Sequence, residues 1–201
     1  MTCKGSPSSS KVPRIIVELG SGDGRLLKKL LYTEIEDIND SNGSVYIGIE
    51  NNTSTFDKAK STLEGFSNVI LLNESFEVII NDFSDTSIDK IIAVLPDPQF
   101  IDIQNQHRWK KFYHVVNNKL AVYGSLRIVT ELTDDLLQPV SVEAYNVWVQ
   151  WIIQTFQGLG FSLVRVLEGS PIEYESECLE RFKEDPKRIR IATFDFRKEA
   201  G

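Results

Sequence analysis

The chain has 201 residues, 41% hydrophobic and 25% charged, a globular composition that predicts one folded unit with a sizeable core. Its formal net charge of −7 argues against broad, non-specific nucleic-acid binding, where phosphate neutralisation supplies most of the affinity. No apolar run reaches the ~18 residues needed to cross a bilayer. Residues 1–13 read as a flexible polar tail without the apolar stretch of a secretory signal, and 14–201 as a single domain. Cys3 and Cys178 form no paired framework, and His107 and His114 are too few and too far apart for a metal site. A reducing cytoplasm fits; no metal and no membrane are expected, and monomer and homodimer are both open.

Strand-like and helix-like segments alternate along the chain. Strands are predicted at Arg14 to Glu18, Val45 to Glu50, Val69 to Leu72, Asp89 to Leu95, Ser125 to Thr130, Phe161 to Leu167 and Arg188 to Phe196. Helices are predicted at Arg25 to Tyr32, Ser54 to Leu63, Phe76 to Phe83 and Arg108 to Leu120. A longer one follows, where Val142, Tyr145, Val149, Ile152, Ile153 and Phe156 recur at helical spacing before Gly158 and Gly160. Such alternation implies an open, mostly parallel sheet with helices on both faces. No helical pattern separates the last two strands, so they are expected to pair antiparallel, with Glu168 to Pro186 as a long excursion.

Ligands in such sheets sit at the carboxyl ends of the strands. After the first strand comes Glu18-Leu19-Gly20-Ser21-Gly22-Asp23-Gly24, and a helix follows at once. Glycine lets the backbone take positive φ and approach a ligand closely. The dinucleotide pattern G-x-G-x-x-G fits poorly: the third glycine comes one residue early, and Arg25 stands where glycine is wanted. Glu18 would repel a pyrophosphate but suits a cofactor with a cationic end, such as the sulfonium and amino groups of S-adenosylmethionine. Glu50 ends the second strand where an acid accepts from ribose hydroxyls, with Asn51 beside it. An adenine pocket is expected near Glu74 and Ser75, although a helix cap explains these two as well.

Val94-Leu95-Pro96-Asp97-Pro98-Gln99 ends the central strand. Two prolines stiffen the backbone around Asp97, which marks either a rigid turn or an acid placed for chemistry. Basic residues cluster at His107-Arg108-Trp109-Lys110-Lys111 and at Lys183, Lys187, Arg188 and Arg190, as phosphate contacts or as solvated surface charge. Phe100, Trp109 and Tyr174 are either platforms for an extruded base or core packing.

The loop resembles that of class I S-adenosylmethionine-dependent methyltransferases. Leu95-Pro96-Asp97-Pro98 resembles the F-P-D-P-W segment of the tRNA (guanine-N7-)-methyltransferases. Pro171-Ile172-Glu173-Tyr174-Glu175-Ser176 resembles that family's P-T-K-[FY]-E-x-R-G, which closes over the guanine. Leu95 and Gln99 replace its Phe and Trp, Ile172 its Thr, and Glu177 its Arg, as in a diverged member.

The resemblance implies a Rossmann-like class I fold with a mostly parallel seven-stranded sheet and an antiparallel last strand. It implies S-adenosylmethionine as cofactor, held by Glu18, Gly20, Ser21, Gly22, Gly24, Glu50, Asn51, Glu74, Ser75 and Leu95. It implies tRNA as partner, Asp97 and Glu175 as catalytic acids, and Pro98, His107, Arg108 and Tyr174 on the substrate side. Two rival readings remain: a methyltransferase acting on a small molecule or protein, and a non-catalytic cofactor-binding subunit. A dinucleotide oxidoreductase is the most distant alternative.

Overall fold

The computed structural model describes residues 13–36, 43–134, 136 and 138–200. Apart from Pro13, the expected N-terminal tail lies outside them.

Seven strands form one sheet: β1 (Ile15–Leu19), β2 (Val45–Ile49), β3 (Val69–Leu72), β4 (Ile88–Val94), β5 (Leu120–Thr133), β6 (Phe161–Glu168) and β7 (Ile189–Lys198). Their order is β3-β2-β1-β4-β5-β7-β6. The first five strands run parallel, and β7 lies antiparallel between β5 and β6. The chain builds outward from β1 in one direction, then restarts at β4 in the other. Such a reversal opens a crevice at the carboxyl ends of the two middle strands. The glycine loop follows β1 and the Pro96-Asp97-Pro98 turn follows β4, so both border that crevice.

Helices α1 (Arg25–Glu36), α2 (Thr53–Thr62), α3 (Phe76–Ile79), α4 (Gln106–Lys119), α5 (Val142–Gln157) and α6 (Glu177–Lys183) cover the sheet. Alternate residues of the central strands feed two cores. Val17, Ile91, Ala93, Leu126 and Ile128 pack against α4 and α5. Ile16, Ile92 and Val129 pack against α1 and Leu179 of α6. Strands buried on both faces read as continuous apolar runs, which is why β4 stood out in the sequence.

Three segments depart most from the sequence expectation, each for a local reason. Strand β5 begins at Leu120, directly from α4, and turns at Tyr123, whose φ is +64°. The predicted Phe76 to Phe83 helix is one α-turn followed by a 3-10 turn at Ile80–Asp82. Glu168 to Pro186 is not a bare excursion, because α6 lies within it. That helix is short, but its signals were present: Ser176 caps it by accepting from the Leu179 amide, Glu177 and Glu180 sit in the first turn, and Arg181 and Lys183 in the last. The expected glycine end of α5 is present: Gly158 is its C-cap with ordinary helical φ, and Gly160 is left-handed at φ +86°.

Gly48 of β2 is a tight point beneath the glycine loop. A Cβ there would meet Leu27 Cδ1 and Leu71 Cδ2 at 2.8 Å and Ser21 Oγ at 2.9 Å. Gly48→Ala should destabilise the protein by about 1–3 kcal/mol through overpacking. Denaturant unfolding measures this; a neutral substitution would show that the loop yields freely.

Candidate active site

Between the glycine loop and the Tyr174 to Arg181 segment lies a cavity of about 430 Å³. Glu18, Gly20, Ser21, Gly22 and Asp23 form one side, and Val94 and Leu95 form the floor. Tyr174, Glu175, Ser176, Glu177, Cys178, Leu179 and Arg181 form the other side, with Thr55 and Lys58 of α2 at the rim.

The loop is held open by backbone geometry. Gly20 and Gly22 have φ of +72° and +55°, and a Cβ on either would meet nothing within 4 Å. That leaves a cradle a ligand can approach directly. Gly20 and Ser21 donate to the Ile49 carbonyl at 2.9 Å, which fixes the loop to β2. Gly24 does something else. It does not line the cavity, and a Cβ there would come within 2.8 Å of Leu63 Cδ1 and 3.3 Å of Ala59 Cα. It lets α1 pack against α2, a packing role that the motif spacing alone does not reveal.

Glu18 is 3% exposed, and its Oε2 has no hydrogen-bond partner. Burial, with Asp23 and Glu50 nearby, raises its pKa well above the usual carboxylate range. Ser21 Oγ is also buried and unpartnered. Unsatisfied buried polar atoms cost stability unless something completes them. A cationic ammonium and a carboxylate or hydroxyl would do so, and these donors and acceptors fit the amino-acid end of S-adenosylmethionine.

The expected ribose and adenine contacts lie outside this cavity lining. Glu50 accepts from the Gly22 amide at 3.0 Å and the Asn52 amide at 2.8 Å, which braces the loop against the end of β2. Asn51 is exposed beside it. Glu74 accepts from the Ser75 amide at 2.7 Å, and Ser75 Oγ caps α3 by accepting from Glu77 at 3.2 Å. For these two residues the capping role is the one the geometry displays.

At the end of β4, Leu95 has φ +48° immediately before a proline. Both features disfavour that conformation, and backbone strain of this kind collects at functional sites. The Leu95 amide donates to Val129 at 2.7 Å, which holds the turn in place. Asp97 is exposed and Oδ1 accepts from Gln99 at 3.0 Å, capping a 3-10 turn, and Pro98 is exposed next to it. Neither is in the cavity lining. Arg108 donates to Gln99 Oε1 at 3.0 Å and to Glu77 Oε2 at 3.4 Å, so α4 is fastened to this turn. His107 is exposed one residue before it.

Of the two alternatives for the aromatics, Trp109 and Phe100 take the core-packing one. Trp109 is fully buried, donating to the Asp102 carbonyl at 2.6 Å, and Phe100 is 5% exposed within a cluster with Phe76 and Phe112. Tyr174 is 1% exposed, yet it lines the cavity. Trp109 and Phe100 are too enclosed to receive a stacked base. Burial pushes the Tyr174 phenol up to about 12. Glu175 is exposed at the cavity, 3.9 Å from Lys29 of α1. The second basic cluster is largely neutralised: Arg188 pairs with Asp185, and Arg190 pairs with Glu168 and lies over the Tyr145 ring.

Several site residues carried no sequence signal. Asp23 reaches the cavity from the loop, Lys58 from the middle of α2, and Cys178 and Arg181 from α6. Glu131, on β5, has an unpartnered buried Oε2, and desolvation raises its pKa to about 7. Its charge is felt by Cys178 in the cavity wall, which places it beside the site. A glutamate within an apolar strand is the one clue the sequence offered.

Comparison with known proteins adds identity to this geometry. Residues 13–158 match the family model described as "Putative methyltransferase". No curated protein sequence matches the chain. Among solved structures, a SAM-dependent methyltransferase from Methanosarcina mazei superposes with a TM-score of 0.62 at 12% identity, covering 95% of each chain. An S-adenosylmethionine-dependent methyltransferase from Mesorhizobium loti gives 0.59 at 14% identity, over 93% of this chain and 92% of that one. Phosphoethanolamine N-methyltransferase 2 from Haemonchus contortus, in complex with S-adenosyl-L-methionine, gives 0.59 at 12% identity, over 94% of this chain and 50% of that one. At these identities the structures speak for the fold, and the family model carries the assignment. The chain belongs to that methyltransferase family, the family of the tRNA guanine-N7 methyltransferases, and is a class I enzyme that uses S-adenosylmethionine.

Proposed function

We propose that the enzyme methylates N7 of a guanine in tRNA. The observation that carries this reading is the meeting of two segments at one cavity. Tyr174 and Glu175, from the family-like tail, line the same space as Glu18 and the glycine loop. The end of β4 leads to Leu95 in that space, and Asp97 follows two residues later as the cap of the next turn.

S-adenosylmethionine supplies an electrophilic methyl on a sulfonium. Guanine N7 carries a lone pair and no proton, so the in-line displacement needs no general base. What the chain contributes is orientation and tolerance of the positive charge the ring gains. Glu175 accepts from the N1-H and exocyclic amine of the guanine. Asp97 stands where a carboxylate offsets the developing cation. Arg108 and Lys111 present charge to phosphates beside the turn, and His107 offers a ring N–H donor.

The acidic lining of the cavity, with Glu18, Asp23, Glu175 and Glu177, supports a second reading, methyl transfer to a small cationic or amine acceptor. One experiment separates the two. Labelled methyl should enter bulk unmodified tRNA, and the product should break at N7-methylguanine-specific cleavage. Tight S-adenosylmethionine binding with no label in RNA would overturn the tRNA reading in favour of the small acceptor. RNA binding should weaken steeply with salt, since it rests on phosphate contacts.

Asp97→Ala should lower the transfer rate by roughly 10- to 30-fold and leave cofactor affinity nearly unchanged, because the carboxylate is exposed and already caps a turn. Single-turnover methyl transfer measures this, and an unchanged rate would remove Asp97 from the site.

A further inference from the structure

We infer that Arg127 is the positioning residue for the acceptor side of the cavity, acting through Tyr174. The inference rests on the reading that Glu175 faces the acceptor.

Arg127 lies on the β5 face that carries Val129, beneath the segment that closes the cavity. Its Nε and Nη2 donate to the two oxygens of Asp195 on β7, at 2.5 and 3.0 Å. Its Nη1 donates to the Tyr174 hydroxyl at 3.1 Å, and the guanidinium lies 5.5 Å from the Tyr174 ring centroid. Arg165 of β6 donates to the same Asp195 oxygen at 2.8 Å, which fixes the acid from its other side. The Arg127 and Asp195 side chains are 16% and 17% exposed.

A paired charge in such a place adds little net stability, and replacing both partners with apolar residues is often neutral. What the pair adds is direction. A planar guanidinium whose Nε/Nη2 edge is held by one carboxylate has its remaining Nη1 donor fixed in direction, and here Nη1 points at the Tyr174 hydroxyl. Tyr174 lines the cavity, and Glu175 is the next residue. Two further ties act on the same turn: the Tyr174 amide donates to Pro171 O at 3.0 Å, and Lys183 Nζ donates to Tyr174 O at 3.4 Å. Among the described residues Arg127 is the one hydrogen-bond partner of the hydroxyl, so it sets the ring angle and with it the reach of Glu175.

The test uses full-length protein and three variants. Arg127→Met/Asp195→Leu removes both charges together, which protects stability while abolishing the anchor. Tyr174→Phe removes only the hydroxyl. The triple variant combines them. With the tRNA acceptor, the pair variant should lose roughly 10- to 30-fold in kcat/KM, chiefly through acceptor KM, with S-adenosylhomocysteine affinity within about threefold of wild type. Tyr174→Phe should give a comparable loss, and the triple variant should lose no more than the pair variant, because one contact is removed each time. Amide hydrogen exchange over residues 172–177 should quicken in the pair variant while β1, β2 and β4 stay protected.

Additive losses, or faster exchange spread evenly over the sheet, would overturn the positioning role. If wild-type protein transfers no methyl to tRNA, the acceptor reading fails separately. Exchange over residues 172–177, in the pair variant and in Tyr174→Phe, then decides the role of Arg127: quickening in both supports it, and no change overturns it.

Discussion

Glu18→Gln should weaken S-adenosylmethionine binding by roughly 100- to 1,000-fold and at the same time stabilise the ligand-free protein. The first effect follows from burial. A carboxylate that is 3% exposed meets the cofactor's ammonium with little solvent screening, and removing one partner of a buried ion pair costs about 3–5 kcal/mol. The second follows from the unpartnered Oε2. Without cofactor the acid is desolvated beside Asp23 and Glu50, and a neutral amide removes that penalty. Thermal unfolding without cofactor should shift upward by several degrees, whereas the shift produced by saturating S-adenosylmethionine should shrink.

The pH dependence has a definite sign. Burial raises the Glu18 pKa in the ligand-free protein, yet the bound state needs the ionised form. Cofactor affinity should therefore fall as pH is lowered through that raised pKa, and Glu18→Gln should flatten the profile. Calorimetric titration across pH reads both effects. Unchanged affinity in Glu18→Gln would mean that the cofactor's amino group sits elsewhere.

This opposition of stability and binding bears on what the sequence made legible. The glycine loop, Glu18 and the strand-helix alternation are local patterns, and the sheet, its antiparallel finish and the cofactor class follow from them. The tail was legible as a motif but not as a structure. Tyr174 sits in an aromatic-acidic run, and nothing local says that its ring is buried against a guanidinium 47 residues earlier. The Arg127 to Asp195 pair spans 68 residues, and each member looks like an ordinary charged interruption of a strand. Gly24 belongs to the motif by spacing but serves packing, because its Cβ position points at Leu63 and Ala59. Pairings across the sheet are set by register, and register is not written in any one segment.

Glu131 is the sharpest case of such hidden chemistry, and it supports a prediction for stability. Its side chain leaves β5 on the face shared with Arg127 and Val129, where an unpartnered Oε2 and desolvation raise its pKa to about 7. In the unfolded chain the group returns to about 4.3. Because the folded pKa is the higher one, the protonated acid favours the folded state. That contribution is fully present below the unfolded pKa, declines above it, and is lost as pH rises through about 7. Wild-type protein should therefore lose about 2–3 kcal/mol relative to Glu131→Gln between about pH 5 and about pH 8. Comparing the two proteins by urea unfolding isolates this group, since Glu18 contributes a slope of the same sign to both. Parallel stability profiles would mean that Glu131 is solvated in the folded state. A cofactor or acceptor that supplies a hydrogen-bond donor to Oε2 would lower the pKa. Ligand binding near neutral pH should then release protons beyond those owed to Glu18, and the excess should vanish in Glu131→Gln.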